Sequence, residues 1–378
     1  MVNDKIVNIE MVDLKNQYNK IKPEIDAAIQ QVIESSAFIK GQKLFDFEQN
    51  LAQYLSVKHV IGVGNGTDAL QIALMSLGLE QGSEIITPAF TFVATAEVIA
   101  LLGFKPVFAD VDKDSFCITT QTIEKLITPQ TRAIVPVHLF GQNADMEPIL
   151  QLAKAHNLYV IEDACQSIGA EYTFSDGKKM RSGCMGDVGC TSFFPSKNLG
   201  CYGDGGAIFT DNDKLAAKMR ILANHGMEQR YHYDMIGVNS RLDTMQAAIL
   251  NVKLKYLDEY IAARNIAAEY YDKAFSDCEK IKIPVRSKNS SHVFHQYTIQ
   301  LQGINRDELQ KQLAKKSIPT MIYYPIPLHL QKAYEAYRGE HLPVSEQLSK
   351  TVLSLPMHTE LEEEQLEFIT KNILDWVR

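Results

Sequence analysis

Short apolar runs rich in β-branched residues alternate with helical patterns through the first half of this chain. The strand-like runs are Val57–Val63, Glu84–Ile86, Pro106–Ala109, Ala133–Val137 and Tyr159–Ile161. The helical stretches between them are Asp68–Leu77, Ala94–Leu102, Ile123–Ile127 and Pro148–His156. Such alternation is typical of a mostly parallel sheet covered by helices on both faces. We therefore predict an α/β fold whose large domain has three layers.

The remaining patterns divide the chain into two predicted domains. A helical pattern runs from Met245 to about Phe275 and is of the kind that bridges domains. The other predicted elements are Ile25–Ile33, Leu44–Leu55, Gln296–Leu301, Arg306–Ala314 and Leu361–Trp376. With 378 residues, 46% of them apolar, the chain is long enough for two cores. We expect residues 1–250 to form the large domain and residues 251–378 a small α+β domain, with the helical segment 1–35 packing on the small domain.

Charge and hydropathy argue against two classes of function. The formal net charge is −8, from 38 basic and 46 acidic residues, whereas a nucleic-acid binder normally needs a basic face. The longest apolar stretch, 98–104, is far too short to span a bilayer, and no signal-peptide pattern opens the chain. We expect a cytoplasmic protein with six reduced cysteines. Cys184 and Cys190 with His225 could suggest a metal, but buried structural thiols are the favoured interpretation, so no zinc is predicted.

Lys197 lies in a segment whose composition is unusual for a surface lysine. Small hydroxyls and aromatics precede it, and four glycines follow it within nine residues. Glycine at that density indicates tight turns and close approach of the backbone to a ligand. The flanking runs Val188–Ser192 and Ala207–Thr210 are expected to form an antiparallel strand pair. A lysine in this setting can bind a carbonyl cofactor covalently.

Asp163 follows the buried run Tyr159–Ile161, at the position where open α/β sheets place ligand groups. A carboxylate against a pyridine nitrogen keeps that nitrogen protonated and strengthens the ring as an electron sink. Asp163 and Lys197 together are the minimum site for pyridoxal phosphate (PLP). Gln166, three residues on, could donate to the phenolic oxygen of the ring. Taken singly, Asp163 is equally a loop acid or a helix cap, and Gln166 is more often a surface amide.

The segment Val63–Leu70 follows a strand and opens a helix near Gly66. Exposed amide groups at a helix start, together with the helix dipole, favour a phosphate there. Taken alone, the same pattern is a glycine turn in which Thr67 or Asp68 is the N-cap, and that interpretation is then favoured.

Two further polar positions are candidates for phosphate contacts. Ser192 lies five residues before Lys197 and is either a phosphate ligand or an ordinary strand hydroxyl. Asn239 lies in a polar patch just before the long helical pattern. On spacing alone, that patch is a loop and a helix cap.

Taken together, these segments resemble the sugar aminotransferases of the DegT/DnrJ/EryC1/StrS family, which are fold type I PLP-dependent transferases. The matching stretches follow the family order and cover nearly the whole chain, and they are Asn65–Leu70, Pro88–Thr95, Glu162–Ser167, Ser192–Gly206, Gly237–Asp243 and Tyr324–His329. The resemblance implies a large domain with a mixed, mostly parallel sheet and a smaller C-terminal α+β domain.

The resemblance also implies a role for each matching position. Lys197 looks like the Schiff-base lysine, Asp163 like the partner of the pyridinium nitrogen and Gln166 like the contact to the phenolic oxygen. Phe92 occupies the place of the aromatic that stacks on the pyridine ring. The positions that match the phosphate cup are Gly66, Thr67, Asp68 and Ser192. Asn239 matches an asparagine that reaches the phosphate of the neighbouring subunit, which implies a homodimer with a shared active site.

Within the family, the segment Asn198–Gly206 is similar to the branch that acts on 3-keto sugars, and the likeness is closest to UDP-2-acetamido-3-keto-glucuronate 3-aminotransferases. Such enzymes would take the amino group from L-glutamate, leaving 2-oxoglutarate, for surface polysaccharide such as lipopolysaccharide O-antigen. Arg230 is then either the ligand of a sugar carboxylate, which its guanidinium fork matches, or a surface arginine. Tyr324 and His329 are further substrate candidates. So is Tyr323, which stands where many relatives have a histidine near the sugar nucleotide.

Several other functions stay open at this point. The acceptor could instead be a 3- or 4-keto-6-deoxy nucleotide sugar. A PLP-dependent sugar dehydratase would carry a histidine in place of Lys197. A non-catalytic PLP-binding regulator would need a DNA-binding domain or a basic face, and neither is visible. A dinucleotide-binding protein would need a G-x-G-x-x-G pattern with a following acid, which no part of the sequence supports.

Overall fold

The computed structural model describes residues 9–377, and no helix in that range has both the length and the apolar content to cross a membrane. The helices are α1 (Leu14–Ser35), α2 (Gln42–Leu55), α3 (Gly66–Ser76), α4 (Ala94–Leu101), α5 (Thr120–Glu124), α6 (Met146–Ala155), α7 (Asp213–Leu222), α8 (Thr244–Leu254), α9 (Leu257–Phe275), α10 (Arg306–Lys315), α11 (Pro343–Thr351) and α12 (Glu363–Val377). The strands are β1 (His59–Val63), β2 (Glu84–Pro88), β3 (Lys105–Ala109), β4 (Thr131–Ile134), β5 (Tyr159–Asp163), β6 (Glu171–Thr173), β7 (Lys179–Arg181), β8 (Val188–Ser192), β9 (Gly206–Thr210), β10 (Ile281–Lys282), β11 (Tyr297–Leu301) and β12 (Val352–Leu355).

Seven strands form the main sheet, in the order β1-β9-β8-β5-β4-β2-β3. Strand β9 runs antiparallel to both of its neighbours, whereas the other neighbouring pairs are parallel. The predicted antiparallel pair is confirmed, because Ser192 of β8 lies opposite Gly206 of β9. The prediction of a mixed, mostly parallel sheet is confirmed with it.

Alternate residues of the sheet strands enter different hydrophobic cores, because successive side chains point to opposite faces. In β5, Ile161 packs with side chains of α3, α4 and α7, whereas Val160 packs with side chains of α6. In β9, Ile208 joins the first of these cores, whereas Phe209 joins a core with α2 and α8. The sheet is thus covered on both faces, as the predicted three layers require.

A three-stranded antiparallel sheet in the order β10-β11-β12 lies in the C-terminal part of the chain. Its core contains side chains of α9, α10 and α12 together with Ile9. This is the α+β arrangement that the sequence predicts. Part of the segment between β11 and β12 leaves this sheet, because Leu328 and Leu342 pack with Ala89 and Phe108 of the large domain. The C-terminal region therefore also covers one edge of the main sheet.

Helix α1 contacts both parts of the chain. Its residues Ile21 and Ile25 pack with Val252 of α8, and Lys20 forms an ion pair with Glu360 ahead of α12. The first eight residues of the predicted N-terminal segment lie outside the described residues. The division of the chain between residues 250 and 251 stays a prediction.

The single helix predicted from Met245 to Phe275 is wrong, because the structure has two helices there. The N–H groups of Lys255 and Tyr256 donate to carbonyls three residues back, so the chain leaves the α-helical pattern between α8 and α9. Helix α8 packs into the core of the main sheet, and α9 packs into the core of the small sheet. No glycine or proline marks the break, so packing on two different cores is its physical cause.

Candidate active site

A cavity of about 790 Å³ opens at the carboxyl ends of strands β1, β2, β4, β5 and β8. Open α/β sheets bind ligands at this edge. Ten of the thirteen predicted site residues line the cavity. They are Gly66, Thr67, Asp68, Phe92, Asp163, Gln166, Ser192, Lys197, Tyr323 and Tyr324.

Lys197 lies half-buried in the cavity wall, on the connection between β8 and β9. Its backbone N–H donates to the carbonyl of Phe194 at 2.8 Å, which closes the turn that carries it. The next residue, Asn198, is buried, and its Nδ2 donates to the Val293 carbonyl at 2.8 Å. Burial lowers the pKa of the Lys197 amine, although Cys165 and Asp163 oppose this shift in part. A larger fraction of neutral, nucleophilic amine follows.

Asp163 is the last residue of β5 and is buried at the cavity wall. Its Oδ2 accepts a hydrogen bond from Thr95 Oγ1 at 2.7 Å, and its Oδ1 accepts one from the Cys165 N–H at 3.2 Å. Because both oxygens are held, the carboxylate has one fixed orientation. Thr95, in the first turn of α4, was not among the predicted site residues, and only its place in the stretch Pro88–Thr95 could have pointed to it.

Glu162, the neighbour of Asp163 in β5, points to the other face of the sheet and serves the structure. Its Oε1 accepts hydrogen bonds from the N–H groups of Met185 and Gly186, each at 2.6 Å. Its Oε2 accepts from the Gly183 N–H at 3.0 Å and lies 2.8 Å from His138 Nε2. Because successive side chains of a strand point to opposite faces, Glu162 stabilises the fold and Asp163 lines the cavity.

Gln166 has its side chain held at both ends. Its Oε1 accepts a hydrogen bond from the Phe140 N–H at 2.7 Å, and its Nε2 donates to Tyr324 Oη at 3.2 Å. Burial raises the pKa of the Tyr324 phenol, so the hydroxyl stays neutral. The alternative of a surface amide is thereby excluded for Gln166, which is buried.

Helix α3 begins at Gly66 and points its N-terminus at the cavity. Asn65 is the N-cap, because its Oδ1 accepts a hydrogen bond from the Asp68 N–H at 2.8 Å. The alternative that Thr67 or Asp68 is the cap is therefore wrong. The N–H groups of Gly66 and Thr67 have no partner within the helix and suit an anion. The Asp68 carboxylate accepts from Ser240 Oγ at 2.6 Å, so it holds the loop before α8.

We expect Gly66→Ala to weaken cofactor binding at least about tenfold, because the new methyl group would separate the start of α3 from the end of β8. A Cβ at Gly66 would lie 2.8 Å from Ser192 Cβ and 3.0 Å from Cys165 Sγ. Titration of the apoprotein with PLP measures this change. Gly339→Ala is the control, because a Cβ there meets nothing within 4 Å. Equal PLP affinity in the Gly66 variant and the control would contradict the phosphate role of this turn.

Three predicted site residues lie outside the cavity lining. Asn239 is exposed, and its backbone forms an isolated antiparallel β-bridge with Asn224. Arg230 is exposed, with its guanidinium 5.0 Å from the centre of the Tyr231 ring. His329 is buried, with its Nε2 3.2 Å from Glu346 Oε1. The structure therefore does not bring these three side chains to the cavity.

Other lining residues were missed by sequence reasoning. They include Thr91, Glu97, Phe194, Ser196, Asp204, His295 and Gln296. Most lie in stretches that match the family, where nothing in the residue type distinguishes a lining position from a packing position. His295 and Gln296 directly precede β11 of the small sheet and lie far from the Lys197 and Asp163 motifs in sequence. Only the tertiary fold brings them to the cavity.

The lining fits PLP part by part. Lys197 would hold the aldehyde carbon, Asp163 the ring nitrogen and Gln166 the phenolic oxygen. The start of α3 and Ser192 would hold the phosphate, in a cradle that a Cβ at Gly66 would fill. Phe92 lies at the mouth of the cavity, with 55% of its surface exposed and free for a ring to cover. Fold and site together define a fold type I PLP-dependent transferase.

The model of the DegT/DnrJ/EryC1/StrS aminotransferase family matches residues 19–374, and the chain belongs to that family of PLP-dependent aminotransferases. A UDP-2-acetamido-2-deoxy-3-oxo-D-glucuronate aminotransferase of Pseudomonas aeruginosa is 46% identical over 96% of this chain and 98% of that protein. A pleiotropic regulatory protein of Geobacillus stearothermophilus is also 46% identical, over 98% of this chain and 99% of that protein. The structure of NtdA from Bacillus subtilis with bound cofactor PMP is 32% identical and has a TM-score of 0.91, covering 100% of this chain and 87% of that chain. The predicted family, fold class and cofactor are confirmed.

Proposed function

We propose that this chain transfers the amino group of L-glutamate to a nucleotide-linked keto sugar. The proposed acceptor position is C3 of a UDP-2-acetamido-3-keto-uronic acid, and the proposed product serves surface polysaccharide. The observation that carries the proposal is the half-buried Lys197 in one cavity with the doubly held Asp163. The relative in Pseudomonas aeruginosa, which is named for a 3-oxo-glucuronate, supports the choice of sugar.

Lys197, Asp163 and Thr95 have separate roles in the proposed amino transfer. When bound, PLP supplies a carbonyl carbon that takes the amino group and a ring that takes up an electron pair. Lys197 Nζ holds the cofactor between turnovers and, once displaced, moves the proton at the Cα of the donor. The Asp163 carboxylate keeps the ring nitrogen protonated, and Thr95 keeps that carboxylate in place.

The charge of the cavity supports a site shared between two protomers. Four carboxylates line it, those of Asp68, Glu97, Asp163 and Asp204. Among the described residues of the lining there is no arginine, and Lys197 is the one lysine. A UDP-sugar, a dicarboxylate donor and the cofactor phosphate are all anions, so we infer that a second copy of the chain supplies cations and polar contacts. The exposed Asn239 and Arg230 are the proposed contributions of the neighbouring protomer.

Complementation between two inactive variants tests the shared site. Lys197→Ala and Asn239→Asp are each expected to be inactive alone, the second because its carboxylate repels the cofactor phosphate. In a mixed dimer, one site combines the intact Lys197 of one protomer with the intact Asn239 of the other. Refolding the two variants together in equal amounts should therefore restore about a quarter of the activity, since half of the dimers are mixed and each has one intact site. No recovery in dimers shown to be mixed would rule out sharing through Asn239.

The absorption spectrum of the PLP-loaded protein tests the proposed reaction. L-glutamate is expected to convert the visible band of the lysine-bound cofactor to the near-ultraviolet band of pyridoxamine phosphate. The pyridoxamine phosphate form of the protein is then mixed with 3-keto and 4-keto UDP-sugars, with and without a C6 carboxylate. The sugar that restores the visible band is the acceptor. Return with 4-keto sugars alone would overturn the C3 assignment.

A non-catalytic regulator is the second candidate, because a relative of equal identity is named as a regulatory protein. The complete set of lysine, carboxylate and amide in the cavity favours catalysis, since a regulator has no need of an amine with a lowered pKa. A visible band that responds to no amino donor would favour the regulator.

A further inference from the structure

His295 and Gln296 are adjacent residues of the cavity wall. Within the described range 9–377, the buried His295 Nδ1 has no hydrogen-bond partner, and the Gln296 side chain hydrogen bonds to no other residue. Both are nearly buried, with 5% and 7% of their surfaces exposed, and both line the cavity. Buried polar groups are normally hydrogen-bonded, so an unpaired imidazole beside an unpaired amide in a cavity wall indicates contacts made by a ligand. The roles assigned above to the cofactor site do not use either residue.

The backbone of this pair is held firmly although its side chains are free. The Val293 N–H donates to the Gly141 carbonyl at 2.8 Å, and the Gln296 N–H donates to the Phe140 carbonyl at 3.3 Å. On the other side, Arg264 Nη1 donates to the Phe294 carbonyl at 3.0 Å. The Val293 carbonyl also accepts from Asn198, the neighbour of Lys197. The pair is therefore fixed relative to Lys197 before any ligand enters, which suits a binding role.

The pair carries no net charge near neutral pH. Burial lowers the pKa of His295 well below its ordinary value, and the nearby charge of Lys197 lowers it further. A neutral imidazole offers one donor and one acceptor, and a primary amide offers both as well. Because the imidazole can exchange tautomers and the amide can rotate, the pair can present donors to one ligand and acceptors to another.

Amino transfer needs this adaptability, because two different molecules must occupy the same cavity in turn. The donor presents carboxylates, which accept hydrogen bonds, whereas the sugar presents hydroxyl and amide groups, which also donate them. A fixed cation at this wall would suit the donor but would be left unpaired by the sugar. We propose that His295 and Gln296 form a neutral subsite that binds a carboxylate of the amino donor in one half-reaction and a hydroxyl or amide group of the nucleotide sugar in the other. This inference rests on the proposed function.

His295→Phe and Gln296→Leu test the subsite in single-turnover experiments on the PLP-loaded protein. L-glutamate and the aminated UDP-sugar, which is the product used in reverse, both discharge the visible band, so one signal reports both half-reactions. Each substitution is expected to raise the apparent Kd for both molecules about tenfold, as the loss of hydrogen bonds to a ligand does. The limiting rate constants should stay within about threefold, because the pair binds rather than moves protons.

His358→Phe is the matched control. His358 is also buried, has an unpaired Nε2 and lies outside the cavity lining, and burial lowers its pKa to about 4. The His358→Phe substitution should leave the apparent Kd for L-glutamate and the apparent Kd for the aminated UDP-sugar unchanged. If His295→Phe fails to fold, as circular dichroism would show, Gln296→Leu and the milder His295→Asn decide the question.

Three results would overturn the subsite. One is a Kd that changes for only one of the two molecules. Another is no change for either. The last is a fall in the limiting rates at constant Kd, which would instead place His295 in proton transfer with Lys197. If the unsubstituted protein reacts with L-glutamate but with no nucleotide sugar, the proposed function fails, and an unchanged Kd for L-glutamate in both variants would separately overturn the subsite.

Discussion

Replacing Lys197 with alanine is expected to lower kcat by at least about 1000-fold, because one amine both holds the cofactor and moves the substrate proton. PLP should still bind, since Asp163, Gln166 and the start of α3 remain in place. Steady-state assays measure the loss of turnover. Borohydride reduction followed by denaturation should leave PLP attached to the unsubstituted protein and release it from the variant.

Lys253 offers a matched control for this substitution. It is also a buried lysine, and burial lowers its pKa to about 8. Its Nζ lies 5.3 Å from the centre of the Tyr202 ring, outside the cavity lining. Lys253→Met should lower thermal stability or leave it unchanged while kcat stays within about threefold. More than about one tenth of normal kcat in Lys197→Ala would contradict the proton-transfer role.

Replacing Asp163 with asparagine is expected to lower kcat by about 100- to 1000-fold. The amide keeps the shape of the carboxylate, but its single oxygen can accept only one of the hydrogen bonds from Thr95 and the Cys165 N–H, and it cannot stabilise a protonated ring nitrogen. The ring then becomes a weaker electron sink, and proton removal at the substrate slows. Single-turnover measurement of the visible band with L-glutamate reports this step directly.

Thr95→Val separates the charge of Asp163 from its orientation. The substitution removes one hydrogen bond at 2.7 Å and leaves both the carboxylate and its bond from the Cys165 N–H. A loss of roughly three- to tenfold in kcat is expected, in line with one buried hydrogen bond. A loss as large as that of Asp163→Asn would show that orientation, rather than charge, is what the ring nitrogen requires.

Much of the main domain could be predicted from the sequence, because its signals are local. Each predicted strand from β1 to β5 is a short apolar run between helical patterns, and burial on both faces produces such runs. The antiparallel pair β8 and β9 was predictable because its two short runs flank a glycine-rich segment with no helical pattern, and parallel neighbours are usually joined by a helix. The break between α8 and α9 was not predictable, since Lys255 and Tyr256 have ordinary helix propensities and only the two cores separate the helices.

In the site, too, residues close to strand ends could be predicted from the sequence, whereas residues brought in by the tertiary fold could not. Asp163 ends a strand, and Lys197 and the turn at Gly66 come a few residues after strands, so the sequence could predict that they meet at one edge of the sheet. The N-cap was misassigned because Asn65, Thr67 and Asp68 are all suitable capping residues, and the choice depends on backbone angles. Thr95 and His295 reach the cavity from other elements, and no spacing rule connects them with Asp163 or Lys197.

The antiparallel setting of β9 has a consequence for how the Lys197 segment is held. Because β8 and β9 are neighbours, the segment that carries Lys197 leaves and re-enters the sheet at the same end of the strands. Its residues Phe193, Leu199 and Cys201 are buried in the core with α2 and α8. The reactive amine is therefore anchored both by two strand ends and by a core, so a substitution in this segment would disturb the packing of the sheet as well as the chemistry.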